Sequence, residues 1–174
     1  ESESPKIQPM NIPDFTDSEL WAVRSTLKER YGKEIEPQLA DTEVMLECFA
    51  AWGVEKSVAK LIGMFAFAFW DADAQRLWLV RDRLGIKPLY WAEMGSAFLF
   101  GSELRTLRAP PAFQAEIDRD AAALFLRHNY YPNPRTVFSG VQQLPPGHML
   151  CLEPGRGPRI APYWSLADIA RQGR

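Results

Sequence analysis

Few side chains in this sequence could do covalent chemistry, and their spacing limits what that chemistry is. Two cysteines, Cys48 and Cys151, and two histidines, His128 and His148, make up the soft-nucleophile inventory. A thiol becomes a nucleophile when a neighbouring base or cation favours its thiolate. Cys48 falls on an apolar helical stripe and Cys151 inside a strand pattern, and neither has a histidine beside it in sequence. The four residues show no metal-ligand spacing, so the expected metal is none. The two cysteines read as reduced thiols, with a disulfide as the alternative.

Charged residues are arranged more tellingly. Arg81, Asp82, Gly85, Lys87 and Pro88 stand together in RDRLGIKPLY. An Arg–Asp pair beside a glycine that supplies a positive φ is well placed to satisfy backbone groups at a tight crossing. A direct catalytic role for the same charges is the competing reading. Ser102 and Glu103 follow a strand pattern and could cap the next helix. Asp41 opens a helical pattern as a good N-cap, and His148, after Pro146 and Gly147, belongs to a turn entering a strand.

The elements that must position these residues follow from periodicity. Thr16 and Glu19 fit a capping box, after which Leu20, Val23, Leu27 and Tyr31 recur at helical spacing up to Gly32. Val44, Cys48 and Trp52 mark a second helix stopped by Gly53, and a short helical piece follows through Val58 and Leu61. Strands are expected over 64–70, 76–81, 89–93 and 97–101, joined as hairpins by DADAQ and MGS. In the first strand Met64, Ala66, Ala68 and Trp70 alternate with Phe65, Phe67 and Phe69. Both faces are apolar, which predicts a sheet covered on both sides in a layered sandwich, packed closely on its small face. A short helix is expected over 102–108. Another is capped by Asp118, with Ala122, Phe125 and Leu126 inward. Beyond Tyr130 recurring prolines limit the expected regular structure to one strand, 148–152.

Composition bounds the rest. At 174 residues and 19.8 kDa the chain can bury a sizeable core. Hydrophobic residues make up 47% and charged residues 24%, which argues against disorder. A formal net charge of −2 with scattered basic residues gives no electrostatic case for nucleic acid. No apolar run approaches the roughly 18 residues of a membrane helix, and no secretory pattern opens the sequence, so a cytoplasmic protein is expected.

The blocks GMFAFAFWD, RDRLGIKPLYW, FLFGSELRTL and PNPRTVFSGVQQLPPGHML, closed by a Tyr-Trp pair, resemble the glutamine-hydrolysing domain of the asparagine synthetase family. They cover roughly residues 40–165. The resemblance implies an α+β fold, the four-layer αββα sandwich of N-terminal-nucleophile hydrolases with two antiparallel sheets, here incomplete. It divides the chain into a poorly matching leader at 1–39, the sandwich at 40–165, and at 166–174 the start of a linker to an absent synthetase domain.

The same resemblance implies the chemistry. In that family an N-terminal cysteine attacks the glutamine side-chain amide, and its own α-amine serves as base. A backbone amide and an asparagine hold the oxyanion. The ammonia passes to a second domain that activates aspartate with ATP and Mg. No cofactor is implied for the glutamine domain itself. The expected partners are glutamine, the synthetase domain in the same polypeptide and a second copy in a homodimer.

Asp41 stands where the family holds the glutamine α-amino group. Counting back from Glu19-Leu20 places Asn11 on the oxyanion asparagine, although Ile12 and Pro13 replace the expected glycine and glutamate. Glu1 is not a cysteine, so the chain by itself is expected to lack the nucleophile and to be inactive, truncated at both ends. The alternatives are a non-catalytic scaffold, as in relatives that close β-lactam rings, and a self-associating interaction module.

Overall fold

The computed structural model describes residues 41–114 and 116–173. The helix expected over 20–31, and Asn11 with it, lie outside these described residues. The chain divides into two compact units, one up to Gly63 and one from Met64 onward.

In the first unit, helix α1 (Asp41–Trp52) is followed directly by α2 (Val54–Val58). Val44 and Cys48, one turn apart, are both buried. Gly53 ends α1 with a positive φ of 78°, which glycine adopts readily, and its N–H donates to the Phe49 carbonyl at 2.9 Å. The buried Ser57 hydroxyl lies 2.8 Å from the carbonyl oxygens of both Cys48 and Gly53, which folds α2 back on the helix before it.

The second unit is a β-sandwich. Its strands are β1 (Ala66–Asp71), β2 (Arg76–Arg81), β3 (Tyr90–Met94), β4 (Ala97–Gly101), β5 (Val141–Gln143), β6 (His148–Leu152) and β7 (Arg159–Pro162). They form two antiparallel sheets, ordered β1-β2-β6-β7 and β4-β3-β5. Helices α3 (Leu104–Leu107) and α4 (Arg119–His128) lie in the chain between β4 and β5, and α5 (Leu166–Gln172) follows β7.

Both expected hairpins form. Asp71 pairs with Arg76 across a turn in which Gln75 takes a positive φ and the Ala74 N–H donates to Asp71 Oδ1. Met94 pairs with Ala97 across Gly95-Ser96, where Gly95 supplies the φ of +61° that a two-residue hairpin loop demands.

The sheets meet through Leu79 and Leu150 of one, Trp91 of the other, and Leu89 and Leu144 from the connections between them. Register explains the grouping. Ala68 pairs with Leu79 and Leu79 with Leu150, so the three form a row across one sheet. Ala66 and Ala68 pack against this core, so the small face of β1 is the one turned to the opposite sheet. Trp91 stacks on Phe98 at 5.8 Å between ring centroids. On the other face of β1, Phe65 and Phe67 are buried as expected.

Several expectations need correction. Met64 and Trp70 are half exposed, because the former precedes β1 and the latter reaches the hairpin end, beyond the cover of the core. Leu126 is 86% exposed and Phe125 is exposed as well, and the fully buried residue of α4 is Ala121. Two stripes at helical spacing compete in this segment. The helix phase is fixed from outside it, by Asp118 donating its N–H to the Val137 carbonyl and by the bridge between Ile117 and Phe138. The helix expected over 102–108 shrinks to α3, whose N-cap is Glu103 with no side-chain cap bond. Glu103 pairs instead with Arg105, and Ser102 stays exposed. Beyond Tyr130, β5, β7 and α5 add to the one strand expected there. β7 tolerates Pro162 because it lies at a sheet edge.

Leu79→Ala should lower unfolding free energy by about 3 kcal/mol, moving the urea midpoint without changing the slope. Leu126→Ala should change it by less than about 0.5 kcal/mol. Equal losses would contradict the helix phase described above.

Candidate functional site

The RDRLGIKP turn between β2 and β3 carries the densest polar construction among the described residues. Asp82 has no exposed surface. Its Oδ1 accepts N–H bonds from Leu84 at 3.1 Å and Ile86 at 3.0 Å, and Oδ2 accepts from Lys87 at 2.9 Å. Its own N–H donates to the Phe65 carbonyl, while its carbonyl accepts from the N–H groups of Gly85 and Gly147.

Arg81 is also buried and directs its fork at carbonyl oxygens. Nε donates to Lys87 at 2.8 Å, Nη2 to Gly85 at 2.6 Å and Nη1 to Leu144 at 2.7 Å. Burial pulls its pKa below the ordinary value, with Asp82 and then Tyr90 opposing the shift. Tyr163 closes the arrangement, donating its hydroxyl to the Arg81 carbonyl at 2.8 Å. Burial, followed by the nearby Asp82 carboxylate, raises the Tyr163 pKa. Its phenol therefore remains a donor.

Glycines make the crowding possible. Gly85 adopts φ +67°, and a Cβ there would stand 2.7 Å from Pro146 Cγ and 3.1 Å from Arg81 Cζ. Gly147 adopts the same φ, and a Cβ on it would stand 2.5 Å from the Trp164 carbonyl oxygen. Pro88 disfavours helical conformations for Lys87 at the point where β3 is about to begin. Every side-chain hydrogen bond described here from Arg81 and Asp82 ends on the main chain. Beside this cluster, His148 donates Nδ1–H to the Pro146 carbonyl at 2.7 Å.

The other sequence candidates are dispersed. Asp41 is the first residue of α1, and its side chain lies outside the described part of the structure. Cys48 and Cys151 are free and buried. Burial, then Glu47, pushes the Cys48 thiol up to about 11. Burial chiefly raises Cys151 as well. Among the described residues no group of three or more His, Cys, Asp or Glu could hold a metal ion. No helix among them is long and apolar enough to cross a membrane.

A feature the sequence did not suggest is a cleft of about 330 Å³ at the hairpin end of the sandwich. Its walls include Trp70, Glu93, Phe98, Glu153 and Arg156, drawn from three separate turns. Glu153 pairs there with Arg76 and Arg156, each at 2.9 Å. Only tertiary pairing brings these turns together, so no local pattern could announce the cleft.

Two antiparallel sheets packed face to face, with helices in the same chain, place the protein in the N-terminal-nucleophile amidotransferase fold class. The Bacillus subtilis glutamine phosphoribosylpyrophosphate amidotransferase, solved with ADP and GMP, superposes with a TM-score of 0.55 at 17% identity. That superposition covers 83% of this chain and 27% of the other. The chain belongs to the glutamine amidotransferase domain family, whose model matches residues 21–164. It is 37% identical over 145 residues to asparagine synthetase [glutamine-hydrolyzing] 3 of Bacillus subtilis, covering 83% of this chain and 23% of that protein. Asparagine synthetase [glutamine-hydrolyzing] 2 of the same organism is 34% identical over 141 residues, 77% of this chain and 19% of that protein. The chain thus spans about a quarter or less of the length of these relatives.

Asp82→Ala would remove the acceptor of three part-buried N–H groups and should cost about 3 kcal/mol. A thermal melt would register it, and an unchanged midpoint would contradict the geometry. A second outcome concerns the thiols. A disulfide reagent at pH 8 should modify Cys48 and Cys151 slowly in the folded chain and rapidly in denaturant. The folded-state rate should climb as pH approaches about 11, where the Cys48 thiolate forms.

Proposed function

We propose that this chain is the glutamine-handling domain of an asparagine-synthetase-type enzyme. Glutamine is hydrolysed to glutamate and ammonia, and the ammonia serves an ATP-dependent amidation of aspartate elsewhere in the polypeptide. The observation that carries this reading is the family match across residues 21–164, which takes in both sheets of the sandwich and the Arg81–Asp82 turn. In this reading ATP and Mg belong to the synthetase part.

In this reading Asp41, at the start of α1, holds the ammonium group of glutamine, and Asn11 is the candidate oxyanion donor of the intact enzyme. Attack on the amide carbon requires a thiolate, and both cysteines of this chain are buried with raised pKa values. Neither supplies the nucleophile. With neither thiol suited to attack, the 174-residue polypeptide is proposed to bind glutamine without turning it over.

A second reading rests on Ile12 and Pro13, which stand where the family pattern has glycine and glutamate. Proline removes an amide donor at that point. This favours a non-catalytic scaffold that has lost glutamine altogether.

Calorimetric titration with glutamine separates the readings. Binding is expected, and Asp41→Asn should weaken it at least about tenfold, which is about 1.4 kcal/mol. Asparagine starts helices as well as aspartate does, so helix stability should be unchanged. Equal affinity for both proteins would reduce Asp41 to a helix-start residue. No binding by either would favour the scaffold. Glutamate release by the unmodified chain should stay at background, and turnover in Cys48→Ser and in the parent alike would contradict the account of the nucleophile.

A further inference from the structure

Leu84 and Ile86 are aliphatic side chains that the fold holds out in water. They are 65% and 54% exposed, on either side of Gly85 at the tip of the buried turn. A mobile loop with two such residues could fold them inward. This one has no such freedom, since the N–H groups of Leu84 and Ile86 are fixed on Asp82 Oδ1 and the Gly85 carbonyl on Arg81 Nη2. Rigid presentation of apolar surface lowers the entropy lost when something docks on it. Exposed apolar groups gathered in one region mark interaction sites more often than isolated ones do.

The position of the turn says what docks. The Arg83 guanidinium lies over the Trp164 ring at 6.0 Å, and the Trp164 carbonyl is packed against Gly147, which itself donates to Asp82. The next residue, Ser165, caps α5 through a bond from the Asp168 N–H. Leu166 and Ile169, three apart on that helix, are again exposed. The polypeptide thus leaves the sandwich beside the turn, along a helix that carries a matching apolar pair. The matched span is only 23% of the Bacillus relative, so most of such a protein lies outside this domain. A domain tethered at this exit meets the turn at a high effective concentration.

We propose that Leu84 and Ile86, with Leu166 and Ile169, form the seat on which the synthetase part of the full-length polypeptide packs. Arg81 and Asp82 act as its positioning residues. The inference rests on the reading above that a synthetase part belongs to the same polypeptide.

The test uses the full-length polypeptide with a single cysteine introduced at an exposed site, either Leu84→Cys or Asp73→Cys at the β1–β2 hairpin tip. Maleimide labelling of each is followed by peptide mass spectrometry. Position 84 should label at least about tenfold more slowly than position 73 in the native protein and equally fast in denaturant. Rates within about twofold of each other in the native protein would overturn the proposal. So would protection at position 84 that disappears on dilution, since a second copy would then be the occupant. Glutamate release measured on the same preparations keeps the two ideas apart. Protection without glutaminase activity leaves the seat standing and removes the chemistry, whereas activity without protection does the reverse.

Discussion

A sandwich of two sheets stands or falls on the segments that cross from one sheet to the other, and here two such crossings are tied by one pair of side chains. The chain passes from β2 to β3 through Asp82–Leu89 and returns from β5 to β6 through Leu144–Gly147. Arg81 donates to Lys87 and Gly85 in the first crossing and to Leu144 in the second. Asp82 gathers three N–H groups of the first crossing in its carboxylate and receives Gly147 of the second at its carbonyl. Charge-assisted hydrogen bonds of this kind contribute about 1.5–3 kcal/mol each, and more is at stake when a buried partner is left alone. The apolar core beneath them, around Leu79, Trp91 and Leu150, then has a fixed gap to fill.

The burial of two opposite charges side by side would be costly if they answered only to each other. Each instead receives partial charges from the backbone. The carboxylate takes three amide dipoles and the guanidinium three carbonyl dipoles, so both desolvation costs are offset locally. The glycines follow as a consequence. At Gly85 and Gly147 the backbone approaches Pro146, Arg81 and Trp164 too closely for a Cβ, and both need a positive φ. Polar satisfaction and steric exclusion therefore act on the same few residues.

Much of this was legible in the sequence because the signals are short in range. Alternation gave the strands, and β2 and β4 occupy the residues their patterns predict. Gly95 and Gly53 announce a hairpin loop and a helix stop through φ requirements of their own. Legibility failed where the deciding contact is distant. The phase of α4 is set by Val137 and Phe138, so Leu126 could not be told from a core residue. β7 and α5 were hidden by surrounding prolines, although Ser165 with Asp168 carries a recognisable capping spacing. In the site, the clustering of Arg81 with Asp82 was visible, and the identity of its backbone partners was not. Nothing local links Arg81 to Leu144, which is 63 residues away.

A turn held through main-chain groups places few demands on the side chains around it. Any residue with an ordinary amide can occupy positions 84 and 86 without disturbing the carboxylate below them. Those side chains are consequently available for other selection, and two aliphatics exposed to water at both positions are difficult to attribute to folding. Backbone geometry is what a clamp of this type specifies. Its side-chain hydrogen bonds, spent on main-chain groups, fit a positioning role.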